Sequence, residues 1–442
     1  MFESLEVGAG GIVQKLSDAG FTAYYAGGCV RDMLRGVPPQ DYDIATNAKP
    51  EQVQKLFPHT VAVGAHFGVV CVLEGGASFE VASFRADGLY LDGRHPENIT
   101  FSSPEQDAQR RDFTVNGMFF DPLSGEVIDF VGGRRDLEMR VLRAIGSPAE
   151  RFAEDRLRMM RAVRFATTLG FDLDPATWRA VSENAAEIHE VSAERIRDEL
   201  CKIFLSPRRV RGFDLLDESG LMREILPEIE ILKGCEQPPQ FHPEGDVFVH
   251  TRLMLELLPE AVPLALVLSV LFHDIGKPGT YSCDPVEQRI RFSGHDKLGA
   301  EMTESLMERL RFSRREIDAT VEAVAQHMVF KDVQQMRVAR LKRFMARPGF
   351  AEELELHRVD CTSSHGKLDN YEFLRSRLAE FASQPLIPPP LLSGRDLIGL
   401  GLSPGPHFKE ILEAVQSRQL EGTLSDETQA LEFVKQEYLA GK

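Results

Sequence analysis

A diglycine turn and two nearby aspartates constrain the N-terminal part of the chain more than any other feature. The segment Gly27–Asp43 reads GGCVRDMLRGVPPQDYD. The DYDIAT segment predicts a short strand, and alternation along a strand points Asp41 and Asp43 to one face. Two such carboxylates suit Mg²⁺, which binds through one or two carboxylates together with substrate phosphates. Gly27 and Gly28 let backbone N–H groups approach an anion at the start of the next helix. Either half alone is also common as a plain turn or an exposed loop, but together they predict a metal-dependent phosphate site.

Length and composition indicate a globular protein with several domains. The chain has 442 residues, of which 43% are hydrophobic and 27% are charged. About three or four domains of ordinary size are expected at this length. No charged-then-apolar leader opens the chain and no apolar run is long enough to span a bilayer, which predicts a cytoplasmic protein that is not in a membrane. The six cysteines have no CxxC spacing, which indicates reduced thiols and no structural zinc.

Charge is distributed unevenly along the chain. The net charge of −17 argues against nucleic acid as a partner, but it is an average over the whole chain and does not describe any one surface. Phosphate binding depends on local basic surfaces, although each arginine cluster can also be a solvated helix face. Two segments concentrate arginine: Arg134, Arg135, Arg140, Arg143, Arg151, Arg156, Arg158, Arg161 and Arg164 in one, and Arg208, Arg209 and Arg211 in the other.

The periodicity of apolar residues changes near residue 147. Before it, strand-like and short helical segments mix, which predicts an α+β domain with a mixed sheet. After it the pattern is helical almost throughout, and one helix is expected to end at Gly170 before a capping segment, DLDPATW. Segments rich in Pro and Gly at 234–245 and 384–394 mark boundaries. The predicted domains are residues 1–146, 147–235, 236–375 and 376–442.

The motif order identifies a family. GG-x-VRD-x-L-x-G followed by DxDxxT resembles the polymerase-β nucleotidyltransferase superfamily, in particular the bacterial-type tRNA CCA-adding enzymes and poly(A) polymerases that carry an HD domain. The resemblance implies that Asp41 and Asp43 bind two Mg²⁺ ions and that Arg31 stabilises a nucleoside triphosphate. Gly117 and Val69 depart from the usual family pattern, which more often has alanine and threonine there.

Further N-terminal positions are implied by the same resemblance. Glu80, in SFEVASF, is either a third catalytic carboxylate or a charge on an edge strand. In RRDFTVNGM, Arg111, Asp112 and Asn116 would contact ribose or phosphate, although Asp112 also fits a helix cap and Asn116 a turn. The segment Asp87–His95 corresponds to a flexible loop that favours addition of A as well as C.

The segment ERFAEDRLRMMRAVRF supplies a candidate pair for reading the base. A helix would place Asp155 and Arg158 on one face, with Glu154 able to hold the guanidinium. A carboxylate accepts from the amino group of cytosine or adenine, and a guanidinium donates to the adjacent ring acceptor. Guanine and uracil carry a carbonyl at that position. The alternative is an ordinary salt-bridge ladder; Arg161 and Arg164 complete the predicted nucleotide-binding set.

A second chemical site is predicted in the C-terminal half. The order of these residues resembles the metal-dependent HD phosphohydrolase domain, and imidazole and carboxylate ligands suit a transition ion such as Ni²⁺ or Mn²⁺. The resemblance implies phosphatase or cyclic-phosphodiesterase activity, or a degenerate domain kept as a helical scaffold. The candidate ligands are His250, His273, Asp274, His295, His327 and Asp360.

Together these features predict an α+β nucleotidyltransferase domain followed by all-α domains, one of them of HD type. The predicted activity is template-independent addition of CCA to tRNA from CTP and ATP. An A-only adding enzyme, a poly(A) polymerase and an HD phosphohydrolase that repairs RNA ends remain alternatives. The glycines of GLGLSPGP in the tail either hold an RNA phosphate or connect two helices, and the oligomeric state is left open.

Overall fold

The computed structural model describes residues 2–61, 68–87, 99–284, 289–383 and 385–439. The chain divides into two compact units, Met1–Glu230 and Ile231–Lys442. Across the described ranges, every helix is too short or too polar to cross a membrane. Most of the predicted loop after Asp87 lies outside the described residues. The finer division into four domains stays a prediction.

A seven-stranded mixed sheet forms the centre of the N-terminal unit. The strands of this unit are β1 (Ala23–Ala26), β2 (Asp43–Thr46), β3 (Thr60–Val61), β4 (Val69–Glu74), β5 (Ala77–Ser83), β6 (Arg85–Asp87), β7 (Ile99–Phe101), β8 (Phe119–Asp121), β9 (Glu126–Ile128), β10 (Val141–Leu142) and β11 (Asp172–Leu173). The large sheet has the order β3-β4-β5-β2-β1-β8-β9, in which β2 and β5 run parallel and the other neighbours antiparallel. The predicted mixed sheet is confirmed.

The helices of this unit cover the sheet and then continue as a helical region. Ile12, Val13 and Leu16 of the first helix are buried in the same core as Tyr25 and Phe79 of the sheet. The helices are α1 (Phe2–Asp18), α2 (Gly28–Leu34), α3 (Pro50–Leu56), α4 (Pro104–Gln109), α5 (Gly133–Glu138), α6 (Pro148–Glu154), α7 (Leu157–Leu169), α8 (Pro175–Glu183), α9 (Ala193–Phe204), α10 (Arg209–Glu218), α11 (Leu221–Ile225) and α12 (Pro227–Glu230).

Strand β2 is shorter than the sequence predicts. Asp41 precedes the strand, which begins at Asp43. Pairing stops there because Asp43 lies opposite Ala26, the last residue of β1, and the chain then turns at Gly27 with a φ of 74°. Asp41 is therefore placed by a loop, not by the sheet.

The helix predicted around Asp155 is also interrupted. Asp155 has extended backbone angles (φ −148°, ψ 106°) and separates α6 from α7. Its carboxylate accepts a hydrogen bond from the Leu157 N–H at 3.1 Å, so the side chain competes with helical pairing. Asp155 and Arg158 thus do not share one helix, whereas the end of α7 at Gly170 (φ 68°) is confirmed.

The described residues of the C-terminal unit are helical apart from one hairpin. One hydrophobic core among them contains Phe330, Phe344 and Leu374, and another contains Leu397 and Ile411. Its elements are α13 (Val247–Leu257), α14 (Leu264–Phe272), α15 (Lys277–Thr280), β12 (Tyr281–Cys283), β13 (Ile290–Phe292), α16 (His295–Arg309), α17 (Arg314–Gln326), α18 (Val338–Met345), α19 (Phe350–Ser363), α20 (Asp369–Phe381), α21 (Gly394–Gly399), α22 (His407–Leu420) and α23 (Glu427–Val434).

Candidate nucleotide and metal sites

A cleft of about 460 Å³ in the N-terminal unit collects the residues predicted to bind nucleotide. Both predicted metal-binding aspartates line it as well. Three further residues that the sequence did not indicate also line the cleft: Arg110, Phe165 and Arg195. The predicted residues that line the cleft are Gly27, Gly28, Arg31, Asp41, Asp43, Arg111, Asp112, Asn116, Asp155, Arg158, Arg161 and Arg164.

Gly27 forms the turn at the floor of this cleft. Its backbone has a φ of 74° and a ψ of −128°, a conformation that residues with a side chain rarely adopt. A Cβ atom there would lie 3.1 Å from Nη1 of Arg111 and 3.9 Å from Oδ2 of Asp43. The glycine therefore lets the turn pass between a cation and a carboxylate. Helix α2 begins directly afterwards, at Gly28.

Three carboxylates create a local negative field beside the turn. Loss of solvation in the cleft, followed by the charges of Asp41 and Glu80, raises the pKa of Asp43 to about 6, and Arg111 opposes this shift. Crowded carboxylates of this kind suit a divalent cation, because its charge relieves their repulsion. Glu80 acts on Asp43 but is not among the residues that line the cleft. Its role as a third catalytic carboxylate stays a prediction.

A chain of hydrogen bonds connects α2 to α7. Nη1 of Arg31 donates to Oδ1 of Asn116 at 2.7 Å, and the Asn116 amide donates to Oδ1 of Asp112 at 3.3 Å. Nε of Arg161 donates to Oδ2 of Asp112 at 2.8 Å. Burial alone would raise the pKa of Asp112, but the Arg161 guanidinium lowers it to about 2. Asp112 also accepts from the Phe113 N–H, so it serves the local turn and the cleft together.

Asp155 and Arg158 are each held by other partners. Nη1 of Arg158 donates to Oε2 of Glu154 at 2.6 Å, which is the contact expected from the sequence. Nη2 of Arg158 donates to the Arg110 carbonyl at 3.2 Å. The Asp155 carboxylate accepts from Nη1 and Nη2 of Arg195 at 3.2 and 2.7 Å. No sequence signal pointed to Arg195, which lies 40 positions away on α9.

The six predicted HD residues converge in the C-terminal unit, beside a cavity of about 690 Å³. Asp274 lies at their centre. Its oxygens are 3.0 Å from Nε2 of His273, 3.5 Å from Nε2 of His295 and 3.9 Å from Nε2 of His327. Asp360 is 3.2 Å from Nε2 of His250. These residues therefore form one connected cluster, with His250 and His273 fully buried behind the cavity.

The four imidazoles all direct Nε2 into the cluster. Nδ1 of His273, His295 and His327 contacts a backbone carbonyl at 3.0, 2.7 and 2.6 Å, and these carbonyls can only accept. Each Nδ1 therefore carries the proton and each Nε2 presents a lone pair. Nε2 of His295 and Nε2 of His327 then face each other at 3.1 Å. Facing lone pairs next to a carboxylate fit a bound cation.

Buried nitrogen atoms that face carboxylates support the same fit. Nε2 of His250 lies 3.2 Å from Asp360, and Nε2 of His273 lies 3.0 Å from Asp274. Burial disfavours a charged His250, but hydrogen bonds to Asp360 and Glu244 raise the pKa of His250 to about 9. Burial lowers the pKa of His327 to about 4. A metal held here would have to displace the proton from His250, because histidine binds a metal only in its neutral form, whereas the lowered pKa of His327 already keeps that ring neutral.

Glu244, which the sequence did not indicate, holds two histidines at the edge of this cluster. Its Oε1 lies 2.8 Å from Nδ1 of His250 and 2.9 Å from Nδ1 of His242. Second partners of this kind fix the ring orientation of metal-binding histidines. Glu244 lies in the Pro- and Gly-rich segment that was interpreted only as a domain boundary, so its side chain gave no signal of its own.

Comparisons with known proteins match three parts of the chain to known domain families. The poly A polymerase head domain matches residues 23–143, the probable RNA and SrmB-binding site of polymerase A matches residues 170–232, and the HD domain matches residues 246–358. The CCA-adding enzyme of Geobacillus stearothermophilus is 46% identical over 48% of this chain and 52% of its own length. The match with such relatives therefore spans about half of their length.

Two further proteins match nearly the whole chain. The CCA-adding enzyme of Bacillus stearothermophilus, solved in complex with CTP, has a TM-score of 0.72 and 28% identity over 97% of this chain and 96% of its own. The A-adding tRNA nucleotidyltransferase of Deinococcus radiodurans is 34% identical over 93% of this chain and 95% of its own length. The chain therefore belongs to the tRNA nucleotidyltransferase and poly(A) polymerase family.

Proposed function

We propose that the N-terminal cleft adds nucleotides from CTP and ATP to the 3′ end of tRNA and so completes its CCA sequence. One observation carries this proposal: Asp41 and Asp43, the Gly27–Gly28 turn, and Asp155 and Arg158 all line one cleft. Similarity to a CCA-adding enzyme that was solved in complex with CTP supports it, whereas similarity to an A-adding tRNA nucleotidyltransferase favours the alternative of adding A only.

The metal-binding residues of this reaction are Asp41 and Asp43. Mg²⁺ held there would supply charge neutralisation on the triphosphate and activation of the tRNA 3′-hydroxyl. The hydroxyl oxygen forms a bond to the α-phosphorus, and the bond from that phosphorus to the pyrophosphate oxygen breaks. Arg31 and Arg111 lie beside the turn, where their guanidinium groups can hold the phosphates.

The choice of base falls to Asp155 and Arg158. The carboxylate accepts from the exocyclic amino group of cytosine or adenine, while the guanidinium donates to the neighbouring ring nitrogen. Uracil and guanine place a carbonyl oxygen against the carboxylate, and two acceptors repel each other. The helical region that follows, which matches the RNA-binding family between residues 170 and 232, would contact the tRNA.

An incorporation assay tests this function against its closest alternatives. The protein is incubated with tRNA lacking its 3′ end, and separately with tRNA ending in CC, with CTP alone, ATP alone and both. Full CCA addition requires that both nucleotides appear in the product in order. Incorporation of A only onto tRNA ending in CC indicates an A-adding enzyme, and long A tails indicate a poly(A) polymerase. Incorporation that survives Asp43→Ala would refute the assignment of the site.

The HD cluster supports a second function. Four imidazoles and two carboxylates with inward-facing ligand atoms favour a transition-metal centre such as Ni²⁺ or Mn²⁺. The adjoining cavity carries Lys277, Arg291 and Lys331 on its walls, which suits a phosphoester. We therefore propose that this unit hydrolyses phosphomonoesters or 2′,3′-cyclic phosphates, including those on damaged RNA ends.

Two variants separate the two functions. With Mn²⁺ or Ni²⁺ present, hydrolysis of 2′,3′-cyclic AMP should survive Asp43→Ala and disappear in His273→Ala. Nucleotide incorporation should show the opposite pattern. A protein that binds neither ion and hydrolyses no phosphoester would instead have an HD unit that serves as scaffold.

A further inference from the structure

The candidate base-reading carboxylate is fixed by an arginine from another helix. Arg195 of α9 approaches Asp155 with both terminal nitrogens, at 3.2 Å from Oδ1 and 2.7 Å from Oδ2. Oδ1 also accepts from the Leu157 N–H at 3.1 Å. A paired guanidinium contact of this kind fixes the plane of the carboxylate as well as its charge. Asp155 therefore has a defined orientation before any nucleotide arrives.

Arg158 is restrained separately. Its Nη1 donates to Glu154 at 2.6 Å and to the Arg151 carbonyl at 3.0 Å, and its Nη2 donates to the Arg110 carbonyl. Among the residues that the structure describes, Asp155 forms an ion pair with Arg195 and Arg158 forms one with Glu154, and no ion pair joins Asp155 to Arg158. The two charges are three positions apart along the chain and line the same cleft. Their separate partners keep them from neutralising each other.

The helix that carries Arg195 is firmly placed. Ile196, Leu200 and Ile203 of α9 are buried. Glu199, one turn after Arg195, forms an ion pair with Arg164 of α7. Helix α9 is therefore attached to α7 by packing and by charge, and it presents Arg195 at a fixed distance from the break between α6 and α7. A loop residue could not hold a partner with comparable precision.

We propose that Arg195 is a positioning residue that sets base selectivity by keeping the Asp155 carboxylate turned toward the base and away from Arg158. This inference rests on the proposed base-reading role of Asp155 and Arg158. Without Arg195, the carboxylate loses two of its three donors and is free to rotate toward Arg158. The amino group of cytosine or adenine then loses its oriented acceptor, and uracil no longer meets a fixed repulsive oxygen.

The test compares kcat/KM for CTP and for UTP on tRNA lacking its 3′ end. Arg195→Ala should lower the CTP to UTP ratio by about tenfold or more, the discrimination that an oriented polar contact supplies. Arg195→Lys keeps the charge but not the paired geometry, so it should also lose part of the ratio. Arg197→Ala is the matched control on α9, because Arg197 pairs with the exposed Asp198. Thermal unfolding of each variant monitors folding, and Arg195→Lys carries the test if Arg195→Ala does not fold.

A double variant separates this inference from the function on which it rests. If Arg195 acts through Asp155, then Arg195→Ala combined with Asp155→Ala should have the same ratio as Asp155→Ala alone. Should Asp155→Ala lose selectivity while both Arg195 variants keep the parental ratio, the positioning role is wrong and base reading by Asp155 stands. Unchanged selectivity in Asp155→Ala itself would instead overturn the base-reading assignment, and the positioning role with it.

Discussion

Replacing Gly27 by alanine tests whether the turn in the nucleotide cleft depends on a missing side chain. The φ of 74° and ψ of −128° lie in a region that costs a residue with a side chain about 1–3 kcal/mol. The new Cβ would also lie 3.1 Å from Nη1 of Arg111. This distance is shorter than most Cβ contacts, so the Arg111 side chain would have to shift slightly. Arg111 is itself held by Asp107 at 3.0 Å, so it resists that displacement.

The expected result is a combined loss of stability and of activity. For a unit of this size, about 1–3 kcal/mol corresponds to a fall in the melting temperature of roughly 2–12 °C. Incorporation of CMP should fall by at least tenfold, because a displacement of the turn moves the phosphate-binding backbone relative to Asp43.

Thermal unfolding and CMP incorporation measure the two effects on the same preparation. Gly20→Ala is the matched control: its φ of 86° imposes similar strain, but a Cβ there meets nothing within 4 Å. This control should lower the melting temperature and leave kcat unchanged. The reasoning is wrong if Gly27→Ala keeps parental incorporation, or if Gly20→Ala loses activity to the same extent.

Two further predictions concern the metal sites. Because the pKa of Asp43 is raised to about 6, a proton competes with Mg²⁺ as the pH falls through that value, whereas an ordinary aspartate would remain ionised to about pH 4. Titration of Mn²⁺ into the His273→Ala variant, in which the HD cluster is disabled, should therefore show affinity that weakens between pH 7 and 5.5 and becomes less pH-dependent when Asp41→Asn is added; pH-independent binding would contradict the shift. In the HD domain, a Cβ on Gly276 would lie 2.3 Å from the His295 carbonyl oxygen and 2.6 Å from the Gly299 nitrogen. Gly276→Ala should therefore push α16 outward, and added metal should no longer raise the melting temperature of this variant. Parental stabilisation by Mn²⁺ in that variant would refute the close approach.

Local sequence signals predicted the parts of the fold that depend on local chemistry. Gly170 ends α7 because only a residue without a side chain adopts its left-handed conformation easily, and Asp174 caps α8 by accepting from two backbone N–H groups. The six HD residues could be identified because their types and order are distinctive. Such signals do not require knowledge of what packs against them.

Contacts between distant segments could not be predicted in the same way. The pattern around Asp155 has the spacing of a continuous helix. In the structure, the Asp155 carboxylate accepts hydrogen bonds from Arg195 and from the Leu157 N–H, and the helix is interrupted at this residue. The pairing of Arg195 with Asp155 spans 40 positions, which one sequence does not reveal. Glu244 lies only six positions from His250, but it stands in an irregular segment whose pattern does not indicate where the side chain points.

The carboxylates behind the nucleotide cleft have a consequence for the entropy of binding. Asp32 holds Arg31, Asp107 holds both Arg110 and Arg111, and Glu199 holds Arg164, while none of these three acids is among the residues that line the cleft. Ordering a free arginine side chain on binding costs about 0.5–1.5 kcal/mol. Here that ordering takes place when the protein folds. Under the proposed function, a triphosphate would therefore meet guanidinium groups that are already immobile, and more of its contact energy would remain available as affinity.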